Sequence, residues 1–220
     1  MFIPYRDDNP TRRAAVVTVL LIVLNVAAFL YQAGNARGFS WITYQYGLIP
    51  AELVSGRNLA ESTLVSPYIT LFSYMFCHGG ISHLLFNMLF LWIFGNNVED
   101  RMSRTGFLVF YLLTGVISAL AFVYIDPGLK TPLVGASGAV SAVLGAYLFM
   151  FPMARIYVWM LFFVIPMPAL IFLPIWFLMQ VSGLMGQGGD NVAWISHVAG
   201  FLAGIVLFDF FTGKKTARRL

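Results

Sequence analysis

The sequence predicts an all-α, polytopic membrane protein: a bundle of six transmembrane helices with a short central fourth helix. Three observations carry this. Of the 220 residues, 60% are hydrophobic and only 10% charged, where soluble domains carry about 25% charged residues. The apolar residues fall into runs of roughly 20, the length that crosses a ~30 Å hydrocarbon core. The basic residues gather at the ends of those runs, so the formal net charge of +4 reads as a topology signal. No nucleic-acid partner is expected from it.

Residues 1–13 read as a short polar tail carrying Arg6, Arg12 and Arg13. The first span runs from about Ala14 to Tyr31. It lacks an Ala-x-Ala-like cleavage site and is expected to stay in place as a span. Residues 32–68 form a mixed loop whose clusters Trp41 to Tyr44 and Tyr46 to Ile49 suggest a segment lying in the membrane interface, where Trp and Tyr collect. The second span, about 69–97, embeds His78, Ser82, His83 and Asn87 and is helical from about Ser82. Glu99, Asp100, Arg101 and Arg104 close it, and Glu99 with Arg101 reads most simply as a cytoplasmic loop salt bridge or cap.

The third span, Gly106 to Ile125, stops at the turn Asp126-Pro127-Gly128. The fourth helix starts near Ser137 and ends by Pro152, about 15 residues. That is short for a full crossing, so it is expected to begin inside the membrane, shielded by protein. The fifth span, Ile156 to Gln180, holds Pro166, Pro168 and Pro174 and is expected to be kinked or broken. A glycine-rich loop precedes the sixth span, Val192 to Phe211. The membrane domain is thus 14–212, with a basic tail over 213–220.

Charge orients the bundle. Both tails, the 98–105 loop and Arg155 hold ten Lys and Arg residues, while the other side holds Arg37, Arg57 and Lys130. Positive-inside puts both termini in the cytoplasm and Ser137 toward the outer leaflet, as for a multi-pass protein of a bacterial or archaeal plasma membrane. Cys77 is the one cysteine, so no disulfide forms within the chain, and it reads as a small buried hydrophobe.

Polar residues inside membrane helices are costly and mark candidate sites. Gly135-Ala136-Ser137-Gly138 breaks an apolar stretch where a helix begins, with backbone N–H groups still unpaired. His197 opens the sixth helix at comparable depth. Its neighbours Gly200 and Gly204 make a small-residue face that can meet Ser137, Ser141 and Gly145 on the fourth helix. That packing brings His197 within reach of Ser137, and imidazole can take the proton that makes a hydroxyl nucleophilic. His83 and Asn87, four apart and about 40° around a helix, face one cavity as candidate oxyanion donors. No carboxylate is placed to orient His197, since Asp209 lies about 18 Å down the same helix. The expected chemistry is a Ser–His dyad.

At these residues the chain resembles the rhomboid family of intramembrane serine proteases. The resemblance rests on His78 with His83-Leu84-Leu85-Phe86-Asn87, Gly135-Ala136-Ser137-Gly138, and Ser196-His197-Val198-Ala199-Gly200 with Gly204. Glu99-x-Arg101 adds to it. It implies Ser137 as nucleophile, His197 as base, His83 and Asn87 at the oxyanion, and His78 near the cavity mouth. It also implies that the fifth helix and a cap loop above the site control lateral substrate entry, with Phe86 facing that gate against Trp176. The substrate would be a transmembrane protein met within membrane lipids, and neither cofactor nor metal is expected. One departure concerns Ser141, where some members carry an aromatic ring that packs on the histidine.

Other classes fit less well. A metalloprotease would need His-Glu-x-x-His, which is absent from the sequence. A paired-aspartate site would have to use Asp126 and Asp190, which lie in or beside loops, or Asp209, alone in its span. A transporter would show two similar halves. The closest rival is an inactive relative that binds membrane segments, and the intact Ser137–His197 pair argues against it.

Overall fold

A computed structural model of the chain describes residues 2–59, 64–160, 162–185 and 191–212. The molecule is mainly helical, with one small sheet. Strand β1 (Phe2–Asp7) leads to helix α1 (Val16–Gly34), and the short helices α2 (Phe39–Tyr46), α3 (Pro50–Ser55) and α4 (Pro67–Ser73) follow. A single 3-10 turn at Tyr74–Phe76 connects to α5 (Ile81–Arg101), then α6 (Arg104–Ile125) and α7 (Ser137–Met150). Strands β2 (Arg155–Met160) and β3 (Phe163–Pro168) precede α8 (Ala169–Met185) and α9 (Asn191–Phe211).

Two expectations are corrected here. The fold is not all-α, because residues 2–7 form a strand and the first part of the expected fifth span is a β-hairpin. The three strands make an antiparallel sheet in the order β1-β2-β3. Hydropathy cannot separate such a hairpin from a helix, since both are long apolar runs. The proline-rich half settles into β3, where Pro166 and Pro168 lie in an edge strand and Pro174 alone falls inside a helix. Second, the count of six spans is carried in part. Among the described residues, four helices (Val16–Gly34, Ile81–Arg101, Arg104–Ile125 and Trp194–Phe211) are long and apolar enough to cross a membrane. α7 and α8 are shorter.

Chemistry at the chain ends explains the boundaries. Pro50 and Pro67 open α3 and α4 at the first turn, where the missing N–H costs nothing. Ser103 caps α6 by accepting the Gly106 N–H at 3.0 Å. α1 is capped by Glu99 of α5, whose carboxylate accepts the Val17 and Thr18 N–H groups at 3.0 and 2.8 Å and the Thr18 hydroxyl at 2.8 Å. An anion at a helix N-terminus also meets the positive end of the helix dipole. Glu99 is therefore a cap and not the partner of Arg101, whose guanidinium lies 4.9 Å from the Phe151 ring.

α7 sits at the centre. Gly138 to Tyr147 are all buried, between α5, α6, α8 and α9. The outward faces of α1 and α8 carry exposed Val, Leu and Ile residues instead, as suits surfaces facing lipid.

The small-residue face between α7 and α9 is present. A Cβ on Gly200 would strike the Gly138 carbonyl, one on Gly204 the Ala142 carbonyl, and one on Gly145 the Phe201 carbonyl. Backbones this close exchange dispersion contacts that larger side chains would forbid. The head of α7 is held by a backbone bridge between Leu48 and Leu133 and by the Gly135 N–H donating to the Tyr74 carbonyl at 2.9 Å.

Candidate active site

Ser137 is the first residue of α7, and His197 lies two turns into α9. Because glycines let those helices approach, the Ser137 Oγ and the His197 Nε2 come to 2.8 Å. Gly135 has φ +115°, and a Cβ there would stand 2.6 Å from the His83 ring. Glycine is required on both counts. Gly138 is equally constrained, since a Cβ would collide with the Ser118 hydroxyl. That hydroxyl donates to the Ser196 carbonyl at 2.6 Å and so ties α6 to the residue before His197.

The tautomer of His197 follows from its other neighbour. Gln180 of α8 donates its amide N–H to the Trp176 carbonyl at 3.1 Å, which turns Oε1 the opposite way. That oxygen lies 3.0 Å from His197 Nδ1. An amide oxygen only accepts, so Nδ1 carries the proton and Nε2 presents its lone pair to Ser137. Trp194 closes the pocket around the ring, edge-on at 5.6 Å between centroids. These two side chains take the place of the aromatic residue absent at Ser141, whose hydroxyl donates to the Ser137 carbonyl at 2.6 Å.

His83 and Asn87 stand on α5 across the cavity. His83 Nδ1 accepts the Gly79 N–H at 3.3 Å, leaving Nε2 as the protonated nitrogen beside Gly135. The Asn87 Nδ2 is buried and has no hydrogen-bond partner. A buried amide donor without an acceptor is costly, about 1–3 kcal/mol, and it faces a cavity where a substrate oxygen could accept from it. The cavity, about 470 Å³, is lined by Ser137, His197, His83, Asn87, Gln180 and Trp194, with Phe86 and Trp176 also on its wall.

Two expected placements differ. His78 is not at the cavity mouth but fully buried behind His83, the rings 5.2 Å apart and T-shaped. Gln32 of α1 holds it there: its amide donates to the His78 carbonyl at 3.0 Å, and its oxygen accepts the His78 N–H at 3.1 Å. Trp176, expected against Phe86, packs on Phe90, at 6.1 Å, one turn beyond Phe86.

Sequence reasoning missed Gln180. It stood at the end of the expected fifth span, yet it is the one amide or charge in that whole apolar run. Such a residue needs a partner inside the membrane.

Comparison with known proteins points to one family. Residues 66–213 match the Rhomboid domain. The chain is 27% identical over 170 residues to Rhomboid protein 1, mitochondrial, of Saccharomyces cerevisiae, covering 73% of this chain and 46% of that protein. It is 25% identical over 217 residues to Rhomboid protease GlpG of Pectobacterium atrosepticum, covering 94% of this chain and 67% of that one. It is 29% identical over 147 residues to Rhomboid protease GluP of Bacillus subtilis, covering 66% of this chain and 25% of that protein. The chain spans under half the length of the yeast relative and a quarter of GluP.

Proposed function

The chain belongs to the rhomboid family, and from that premise we propose that it is an intramembrane serine endopeptidase acting on single-span membrane proteins. The observation that carries the reading is the 2.8 Å contact between Ser137 Oγ and His197 Nε2, in a cavity at the membrane-embedded head of α7.

The Ser137 hydroxyl attacks the scissile carbonyl while His197 Nε2 takes its proton. The tetrahedral oxyanion accepts from Asn87 Nδ2, from His83 Nε2–H and from free backbone N–H groups at the start of α7. On collapse the peptide C–N bond breaks, and His197 returns the proton to the departing amine. Water then attacks the acyl-enzyme by the same relay, releasing the carboxylic acid and restoring Ser137. Gln180 keeps the imidazole in the tautomer that accepts first. The relay is Ser–His–Gln, with an amide where a triad has a carboxylate.

Gly135 and Gly138 let substrate backbone approach, and Phe86 and Trp176 line the side by which it enters from lipid. The protease domain is residues 14–212, with basic ends on the cytoplasmic side of a bacterial or archaeal plasma membrane and the cavity opening outward. The excess of Lys and Arg at those ends supports this orientation. The 213–220 tail lies outside the described residues.

The test is cleavage of a reporter bearing one transmembrane segment by purified protein in proteoliposomes. Wild type is expected to cut it, and Ser137→Ala and His197→Ala are each expected to abolish cutting. Normal turnover by either variant would remove the dyad. Binding of the reporter with no turnover by the wild type would make the chain an inactive relative.

A further inference from the structure

Away from the active site, at the end of the bundle where α1 begins and α5 ends, lies a second cavity of about 370 Å³. Asn9, Arg12, Arg13, Asn97, Asp100 and Arg101 line it, together with Phe151. We propose that it holds the phosphate of an anionic phospholipid headgroup.

The argument is an inventory of donors and acceptors. Asp100 is the cavity's one carboxylate, and it is committed. Its oxygens accept the Arg12 and Arg13 backbone N–H groups, both at 3.0 Å, and the Arg13 Nε stands 3.4 Å away. Arg13 also donates to the Asp100 carbonyl at 2.6 Å. The Asn97 amide is spent on Asp7 at 2.9 Å. What remains is donors: the guanidiniums of Arg12 and Arg101 have no acidic partner among the described residues, and the Asn9 amide nitrogen is buried without an acceptor in hydrogen-bonding geometry. Arg101 is steadied by the face of Phe151. Two guanidiniums, one of them held on the Phe151 ring, and a buried amide around a small polar hollow suit an oxyanion with several acceptor oxygens, and guanidinium pairs with phosphate in a two-pronged geometry.

The source of that phosphate follows from the surroundings. Val16, Val19, Leu20 and Val23 form an exposed apolar lane on α1 that starts three residues past Arg13. An acyl chain can lie along it while the headgroup stays in the hollow. Basic pockets between transmembrane helices at the positively charged membrane face take anionic headgroups in this way. The proposal does not depend on the protease reading.

Native mass spectrometry of the full chain in detergent tests it, with phosphatidylglycerol and phosphatidylcholine of matched acyl chains added in turn. Phosphatidylglycerol is expected to be retained preferentially. Arg12→Gln with Arg101→Gln is expected to erase that preference, about fivefold for each arginine, while Arg57→Gln, remote from the cavity, leaves it intact. Equal retention of the two lipids by wild type, or an unchanged preference in the double variant, overturns the proposal. Where the double variant does not fold, Arg12→Gln alone must still lower the preference, and no change overturns it. Binding of soluble glycerol phosphate as tight as that of phosphatidylglycerol would assign the site to a free phosphate instead and overturn the lipid.

Discussion

Gln180 Oε1 lies 3.0 Å from His197 Nδ1, on the side of the imidazole opposite Ser137. The bond joins α8 to α9 and gives the ring both its tautomer and its direction. Losing it leaves a buried N–H unsatisfied, which costs about 1–3 kcal/mol. Gln180→Ala is therefore expected to lower kcat about 5- to 150-fold with KM little changed, measured on a transmembrane reporter in proteoliposomes. A large rise in KM with kcat intact would mean that Gln180 binds substrate and does not position the base.

Gln180→Glu separates positioning from packing. A carboxylate beside the ring stabilises the imidazolium, and only neutral His197 can take the serine proton. The acid limb of the rate profile is therefore expected at higher pH than in wild type. An unmoved limb would show that position 180 does not sense His197.

Asn87 Nδ2 is a buried donor without a partner, and in the proposed reaction the oxyanion would supply the missing acceptor. Asn87→Ala is expected to weaken transition-state stabilisation by about 1–4 kcal/mol while leaving substrate binding nearly unchanged. His83→Ala in the same background tests whether the two donors share the charge. If they do, the double variant falls short of the sum of the two single losses.

Most of the candidate site's convergence was legible because each piece has a local signature. A serine between glycines at a helix start, a histidine three residues before the next glycine, and a histidine and asparagine four apart need only helical periodicity to converge. Gln180 was hidden because hydropathy placed it at the end of a 25-residue apolar run. The hairpin uses up the first half of that run, so α8 extends to Met185 and carries Gln180 inward. The sheet was hidden for the same reason, and because its partner strand lies some 150 residues away, beyond any sequence window: Ile3 pairs with Trp159. His78 was misplaced because its burial depends on Gln32 of another helix, a contact no local pattern encodes.

The α7–α9 seam makes a stability prediction. Gly204 faces the Ala142 carbonyl with no room for a Cβ, and both lie well below Ser137. Gly204→Val must push the helices apart, and overpacking of this kind costs about 1–3 kcal/mol or more. The thermal midpoint in detergent is expected to fall, and activity with it, because the same seam sets the distance from Ser137 to His197. A variant with lowered midpoint but normal kcat at low temperature would show that the dyad is held by Gln180 and the α7 head without the seam.

The N-terminal strand supplies the last prediction. Asp7 of β1 accepts from the Tyr147 hydroxyl at 2.5 Å and from the Asn97 amide at 2.9 Å, latching the sheet to α7 and α5. Burial raises its pKa above the ordinary carboxylate value of 3.8, outweighing the hydrogen bond from Tyr147 that lowers it, and the Asp8 charge adds to the rise. A raised folded-state pKa means that the folded protein holds the proton more tightly than the unfolded chain does. Its contribution to stability is then largest at acid pH and declines as pH climbs from about 3.8 through the raised value. Asp7→Asn removes that dependence while keeping an acceptor for Tyr147. Thermal midpoints of the two proteins are expected to diverge across this window, with wild type losing ground to the variant as pH rises. Parallel curves would mean that the Asp7 charge is not desolvated in the folded protein.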